Sequence, residues 1–221
     1  MITVHHLNNS RSQRVLWLLE ELGLRYEVKR YARDAKTSLA PPELKAVHPL
    51  GKSPVITDDG ATVAESGAIL EYVLDKYGNG RLRPAAGSAA HRRYVYWLHY
   101  AEGSLMPLLV MRLIFGRMPR AVPALIRPVA RIIANGVNQA FLGPNLKTQL
   151  GFVESELGKG AWFAGDEFSG ADIQMSFPLQ AALARGGDLA GPKTREFVQR
   201  IEARPAYRRA LEAGGPFEFL R

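Results

Sequence analysis

A polar turn, Asn9-Ser10-Arg11-Ser12, follows the first apolar run of the chain. Apolar positions that recur from Val15 predict a helix directly after it, so these side chains stand at a helix N-terminus. Free N–H groups and a partial positive charge favour an anion there. A hydroxyl at this place can also donate a hydrogen bond to a thiolate and lower the pKa of a bound thiol, which is about 8.5 when free. The plainer interpretation is that Ser10 or Ser12 only caps the helix.

Two further segments combine groups that suit a charged, peptide-like ligand. In Gly51-Lys52-Ser53-Pro54-Val55, a proline opens a predicted strand and is therefore confined to a sheet edge. A cis Ser53–Pro54 bond would turn nearby N–H and C=O groups outward to pair with an extended peptide, although trans is the ordinary state. In Glu65-Ser66, the serine at a helix start can bind a carboxylate and the acid can hold an ammonium. The plainer account of this pair is a helix cap.

A fourth motif, Ser169-Gly170-Ala171-Asp172, is a capping box, with an acid at the third position of a predicted helix. We interpret it as a folding signal for a buried helix rather than as catalytic.

Composition excludes several kinds of site. The chain of 221 residues has no cysteine, so it cannot form disulfides, thiolate zinc sites, iron–sulfur clusters or a cysteine nucleophile. We predict no metal site. The N-terminal residues lack the pattern of a signal peptide, and the longest apolar run is too short to span a bilayer. We therefore expect a cytoplasmic protein without a membrane span.

The net charge of +8 is unevenly distributed. Residues 1–80 carry ten basic and ten acidic side chains, whereas the stretch 81–147 carries ten basic residues and one acid, Glu102. Such a block attracts anions, although a solvated helix surface is the plainer interpretation. Nucleic acid or anionic lipid could bind it, but no nucleic-acid motif is present, so we expect no nucleic acid as a partner.

The secondary structure predicted around these motifs differs between the first 80 residues and the rest of the chain. In residues 1–80, short β-branched runs alternate with segments whose apolar residues have helical spacing. This pattern predicts the element order β-α-β-α-β-β-α, which is that of an α/β domain. Residues 81–88 are predicted to be a linker. Residues 89–221 are predicted to form an all-α helical bundle, with helices near 89–115, 120–142, 146–158, 170–185 and 192–212.

The order and spacing of the four motifs resemble the cytosolic glutathione transferase family, most closely a bacterial and fungal branch. The resemblance covers essentially the whole chain and is most specific over residues 1–80. It is carried by residues 9–22, by His48-Pro49-Leu50-Gly51-Lys52-Ser53-Pro54-Val55-Ile56, by Glu65-Ser66-Gly67-Ala68-Ile69 and by Phe163-Ala164-Gly165-Asp166 through Asp172.

The resemblance implies a thioredoxin-like first domain that binds glutathione as co-substrate. Ser53 beside a cis Pro54 would offer its main chain to the cysteinyl part. Glu65 and Ser66 would hold the γ-glutamyl end, and Lys52 would meet the glycyl carboxylate. The resemblance also implies a homodimer.

Members of this family activate the thiol with a tyrosine late in the first strand, or with a serine or cysteine near the first helix. The first strand ends in His5-His6-Leu7, and no cysteine exists, so the resemblance implies the serine or asparagine type. Ser10 is the first candidate and Asn9 the second, while Arg11 would add positive field. Ser12 would cap the helix.

The implied reaction is attack of the thiolate on a small hydrophobic electrophile or a peroxide, held between the domains. Its predicted lining is Tyr96, Trp97, Tyr100, Met106 and Phe115, for which core packing is the alternative. A second hypothesis is a non-enzymatic binding or regulatory protein on the same fold.

Overall fold

A computed structural model describes residues 1–37, 39–185, 189–215 and 217. Its first part has the predicted order of strands and helices. The elements are β1 (Ile2–Leu7), α1 (Ser12–Leu22), β2 (Tyr26–Tyr31), α2 (Glu43–Val47), β3 (Val55–Asp58), β4 (Ala61–Ala64) and α3 (Ser66–Tyr77).

These strands form one mixed sheet in the order β2-β1-β3-β4. β1 runs parallel to β2, and β3 pairs antiparallel with both β1 and β4. The β3–β4 hairpin turns at Asp59 and Gly60, with φ values of 48° and 86°. Two successive left-handed residues are typical of the tight hairpin turn that an Asp-Gly pair favours. The sheet, with helices packed on it, confirms the predicted thioredoxin-like α/β domain.

The second part of the chain is helical, as predicted, and the described residues beyond position 88 contain no strand. Two π-helical turns, Ala101–Leu105 and Asn138–Leu142, and a 3-10 turn, Ala124–Ile126, interrupt or join its helices. None of the helices in the described ranges is both long and apolar enough to cross a membrane. The helices are α4 (Ala89–Tyr100), α5 (Met106–Ala121), α6 (Arg127–Val137), α7 (Gly143–Leu157), α8 (Gly170–Arg185), α9 (Pro192–Glu202) and α10 (Pro205–Gly214).

Prolines explain where the helices differ from the predicted bounds. The first long helix continues past residue 115 and ends at Ala121, because Val122 is extended in front of Pro123. The predicted helix over 192–212 is two helices, because Pro205 opens α10. Proline has no N–H to donate, so it suits the first turn of a helix and ends a preceding one.

One hydrophobic core joins the two parts of the chain. It contains Trp17 of α1, Trp97 of α4 and Tyr207 of α10. The rings of Trp17 and Tyr207 meet edge to face with their centres 5.1 Å apart. No helix or strand is described between Tyr77 and Ala89, around the predicted linker at 81–88, but the domain limits themselves stay a prediction.

The capping box of α8 forms as the sequence predicts. The Asp172 carboxylate accepts the backbone N–H groups of Ser169 at 2.8 Å and of Phe163 at 2.9 Å. The Ser169 hydroxyl accepts the N–H of Ala171 at 3.3 Å. Burial raises the pKa of Asp172 to about 7, although these N–H groups oppose the shift. The motif therefore fastens the segment before α8 to the start of that helix.

Candidate functional site

A cavity of about 240 Å³ lies where the start of β3, the start of α3 and the turn between β1 and α1 face the π-helical turn after α4. It brings together six of the residues that the sequence singled out. Its lining residues are Arg11, His48, Leu50, Lys52, Ser53, Pro54, Ala64, Glu65, Ser66 and Glu102.

The Ser53–Pro54 bond at the edge of this cavity is cis. The Ser53 hydroxyl donates to the carbonyl oxygen of His5 at 3.0 Å, and this hydrogen bond ties the segment to β1. β3 begins at the next residue, Val55. Ser53 and Pro54, which directly precede β3, therefore form part of the cavity wall.

Opposite charges line the same cavity without neutralising each other. Lys52 and Glu65 both border it, and among the described residues neither has an ion-pair partner. Glu65 has a φ of 71°, a left-handed value that is unusual for a residue other than glycine. Such strain costs on the order of 1–3 kcal/mol and clusters at functional sites. This pair of free charges suits a ligand that carries both an ammonium and a carboxylate.

Ser66 stands at the first position of α3, but it does not cap the helix as the sequence suggested. Glu65 occupies the N-cap position, and neither side chain accepts a capping hydrogen bond. Instead, the Ser66 hydroxyl accepts a hydrogen bond from Nη2 of Arg14 at 2.8 Å. The first N–H groups of a helix lack partners within it, so the start of α3 can donate to an anion in the cavity.

Sequence reasoning missed an ion network that begins in the wall of the cavity. Glu102 accepts from Nε of Arg11 at 3.0 Å and from Nη2 of Arg14 at 2.6 Å. Burial favours the neutral form of Glu102, but the charges of Arg14 and Arg11 outweigh it and hold the pKa of Glu102 below its ordinary value. Burial lowers the pKa of Arg14 to about 10, against the opposing effect of Glu102. The signal in the sequence was the isolation of Glu102 as the single acid of the basic stretch.

Ser10 lies beneath the cavity at one end of a chain of hydrogen bonds. Its Oγ is 2.7 Å from Oγ of Ser12, which in turn is 2.9 Å from Nδ1 of His6. Ser10 Oγ is also 3.4 Å from Oγ of Ser53. Only 4% of the surface of Ser10 is exposed. At the other end of the chain of hydrogen bonds, burial lowers the pKa of His6 to about 4. The hydroxyl of Ser10 is therefore close to the cavity wall but anchored inward.

The predicted helix cap at Ser12 is wrong, because Arg11 takes the N-cap position and it is Ser10 Oγ that accepts the N–H of Ser12, the first residue of α1, at 3.3 Å. Asn9 precedes this turn with a left-handed φ of 51°, which asparagine tolerates. Ser10 and Asn9 do not line the cavity, whereas Arg11 does. The structure thus places the three candidate activating residues in one turn, and of these three Arg11 lines the cavity.

The residues predicted to line a second-substrate site do not border this cavity. Trp97, Tyr100 and Met106 are buried in the core. Tyr96 stacks on the ring of Tyr100 at 5.7 Å, and Phe115 lines a different groove. The buried members therefore follow the alternative interpretation, core packing: all three belong to the hydrophobic core, and Trp97 stacks on Phe152 of α7 with the ring centres 5.5 Å apart.

Within the described ranges, no group of three or more His, Asp or Glu residues is arranged to hold a metal ion. The polar groups of the cavity are the side chains and backbone groups already named.

Two family models match the chain. The model for the N-terminal domain of glutathione S-transferase matches residues 1–75, and the model for its C-terminal domain matches residues 142–205. The first covers the sheet and most of α3, and with them nine of the ten residues that line the cavity.

Curated relatives match over most of their length. Glutathione S-transferase 3 of Schizosaccharomyces pombe is 37% identical over 217 residues, which cover 96% of this chain and 87% of the relative. Glutathione S-transferase 1 of Saccharomyces cerevisiae is 40% identical over 193 residues, which cover 84% of this chain and 82% of the relative.

Solved structures share the whole fold. A glutathione S-transferase from Actinobacillus pleuropneumoniae superposes with a TM-score of 0.79 at 34% identity, covering 100% of this chain and 96% of that one. A family member from Pseudomonas fluorescens, determined with two glutathione bound, has a TM-score of 0.73 at 29% identity, with 96% and 92% covered. With matched models at both ends and relatives of this identity over most of its length, the chain belongs to the glutathione S-transferase family of enzymes, which confirms the resemblance.

Proposed function

We propose that the cavity binds glutathione and that the enzyme joins glutathione, through its thiolate sulfur, to small hydrophobic electrophiles. The observation that carries the proposal is the pair of free charges, Lys52 and Glu65, in a cavity that is also lined by Ser53, Pro54 and the start of α3. Glutathione carries two carboxylates, one ammonium and a peptide backbone between them. The binding of glutathione by the Pseudomonas fluorescens relative supports the same use of this fold.

Each group of the tripeptide has a complementary group in the cavity. The carboxylate of Glu65 would hold the ammonium, and the hydroxyl and N–H of Ser66 would donate to the γ-glutamyl carboxylate. The main chain at Ser53 would pair with the cysteinyl residue in the manner of an added strand. Lys52 would attract the glycyl carboxylate, so the ligand would lie along the edge of the sheet.

The sulfur would then lie near the turn between β1 and α1. We assign Ser10 as the donor to the thiolate, which requires its O–H to turn from Ser12 toward the cavity. Asn9 is the alternative donor through its amide. Arg11 adds a positive charge, moderated by Glu102 at 3.0 Å. A lower thiol pKa raises the fraction of thiolate at neutral pH.

The proposed reaction with an aryl halide is a substitution. The thiolate sulfur forms a bond to the ring carbon, the carbon–halogen bond breaks, and halide leaves with the electron pair. The thiol proton goes to solvent. With a hydroperoxide, the thiolate would take the outer oxygen and release an alcohol, and a second glutathione would form the disulfide and release water.

Calorimetry and turnover test the proposal together. Glutathione should bind saturably, and Glu65→Gln should weaken binding about 10-fold, because it removes a charged hydrogen-bond acceptor. Lys147→Gln removes an exposed charge elsewhere and should leave binding unchanged. Turnover of an aryl halide should accompany binding. Absence of saturation with the folded protein would contradict the proposal.

A non-enzymatic binding protein is the second candidate, and the inward hydrogen bond of Ser10 is the observation that favours it. Saturable binding of glutathione without turnover of either an aryl halide or a hydroperoxide would establish this second candidate. We further propose a cytoplasmic homodimer, which light scattering of the purified protein would test.

A further inference from the structure

The end of the helical hairpin formed by α5 and α6 exposes apolar side chains to solvent. We call residues 110–137 the hairpin tip. Leu125, in the 3-10 turn between the helices, is 91% exposed, and Ile132 is 72% exposed. The exposed apolar residues of the tip are Val110, Ile114, Leu125, Ile126, Val129, Ile132 and Ile133. This grouping exceeds the isolated exposed residues that are normal on a protein surface.

The exposed residues of α6 form a stripe. Val129, Ile132 and Ile133 follow the spacing i, i+3 and i+4, which places them on one side of a helix. Ala130 and Ala134 are buried and mark the side that packs on the protein. The helix therefore has two apolar sides, of which the one with the larger side chains faces solvent.

The hairpin tip is also strongly basic. It carries five arginines and no Asp or Glu, so its charge is +5. Three of these arginines border a groove of about 450 Å³ between α5 and α6, together with the amides of Asn135 and Asn138. Guanidinium and amide groups donate hydrogen bonds, and the groove has no carboxylate to receive them. The five arginines are Arg112, Arg117, Arg120, Arg127 and Arg131.

We propose that the hairpin tip binds the surface of a bilayer that contains anionic lipid. The exposed stripe and Leu125 would enter the boundary between headgroups and acyl chains, and the arginines would pair with lipid phosphates. A basic helix with large apolar side chains on one face binds membranes in this way, without spanning them. The charge of the tip matches that of an anionic leaflet, which attracts nearby basic residues. The proposal is independent of the catalytic function.

Charge makes two other occupants less suitable. A second copy packed by two-fold symmetry on this face would bring the arginines of one tip against those of the other, with no carboxylate in either tip to pair with them. A nucleic acid would engage the arginines but would leave Leu125 and Ile132 in water, since such interfaces are polar. An anionic bilayer satisfies both the charges and the apolar residues.

Vesicle sedimentation tests the proposal on the full chain. The protein should sediment with vesicles of phosphatidylserine and phosphatidylcholine and stay in solution with vesicles of phosphatidylcholine alone. Replacing three arginines in Arg117→Gln/Arg120→Gln/Arg127→Gln should reduce the partition coefficient about 100-fold. Arg195→Gln, an exposed arginine on α9, should change it little.

The apolar contribution needs a separate variant. Leu125→Ser/Ile132→Ser should weaken partition about 10-fold while leaving the melting curve unchanged, because both side chains are already in water. Leu39→Ser, exposed by 67% elsewhere, is the matched control.

Three results would overturn the proposal. The first is equal sedimentation with neutral and anionic vesicles, or none with either at low salt. The second is a double variant that changes the mass measured by light scattering, which would assign the tip to a second copy. The third is displacement of the protein from vesicles by DNA together with unchanged partition of the Leu125→Ser/Ile132→Ser variant, which would assign the tip to nucleic acid.

Discussion

A chain of hydrogen bonds runs from His6 through Ser12 to Ser10, the residue that we propose as the donor to the sulfur of glutathione. Ser10 Oγ has one proton, which can be donated either to Ser12 Oγ at 2.7 Å or to the sulfur, but not to both. Ser10→Ala should therefore raise the pKa of the bound thiol toward about 8.5 and lower turnover with an aryl halide about 10-fold or more. The thiolate absorbance of the complex, followed against pH, measures this shift. Ser155→Ala, at an exposed position on α7, is the control.

An unchanged thiol pKa in Ser10→Ala would transfer the role to Asn9. The variant Asn9→Ala would then show the shift that Ser10→Ala lacks.

His6 should make stability depend on pH in the acidic range. Burial lowers its pKa from 6.5 to about 4, so between these values the unfolded chain binds a proton that the folded protein does not. The free energy of unfolding should therefore fall by about 3 kcal/mol as the pH drops from 6.5 to 4. Denaturant unfolding of the wild type and of His6→Asn over this range measures the difference, because the other titrating groups are common to both. Parallel curves would contradict the assignment.

At the scale of elements, the local pattern predicted the first domain more fully than the second. Alternating β-branched residues and the Asp58-Asp59-Gly60 turn are short-range signals, and they predicted every strand in order. The capping box of α8 is equally local. The π-helical turn at Ala101–Leu105 has no such signal, since it widens a helix whose apolar spacing continues through it. That turn carries Glu102 to the cavity, so this part of the site was not predictable from spacing.

The capping box offers a test at this scale. Asp172→Ala leaves the buried N–H groups of Phe163 and Ser169 without acceptors, and each such loss costs about 1–3 kcal/mol. Relief of the desolvated carboxylate offsets part of this cost. We expect the free energy of unfolding to fall by about 2–4 kcal/mol in chemical denaturation. Asp166→Ala, exposed in the same loop, should change it by about 0.5 kcal/mol or less.

At the scale of the whole molecule, Glu102 of the helical part pairs with Arg11 and Arg14 of the first part. Glu102 lies about ninety residues after the two arginines in the chain. Pairing over such a separation cannot be inferred from one sequence. Ser53, Glu65 and Ser66, by contrast, were identified because each lies at a strand or helix start with its own local pattern. The structure brings both groups of residues to one cavity.

Removing the charge of Glu102 should affect stability and chemistry in opposite directions. Glu102→Gln leaves Arg14, which is buried, without its ion-pair partner, and we expect a loss of about 2–4 kcal/mol in the free energy of unfolding. The same change frees the charge of Arg11 and should lower the pKa of the bound thiol. Chemical denaturation and thiolate absorbance measure the two effects. Glu196→Gln, in an exposed pair with Lys193, is the control.

A thiol pKa that rises in Glu102→Gln would show that Arg11 does not act on the sulfur. A stability equal to that of Glu196→Gln would show that the buried arginine finds another partner.

The packing of α10 on α1 has a consequence for synthesis on the ribosome. Arg204 and Arg209 pair with Glu21 and Glu20 of α1, and Tyr207 covers Trp17. The thioredoxin-like part leaves the exit tunnel first, yet one side of its first helix makes ion pairs with residues made more than 180 positions later. A nascent chain that stops before residue 205 would therefore expose an apolar helix face to chaperones. Completion of the first domain must await the last helix.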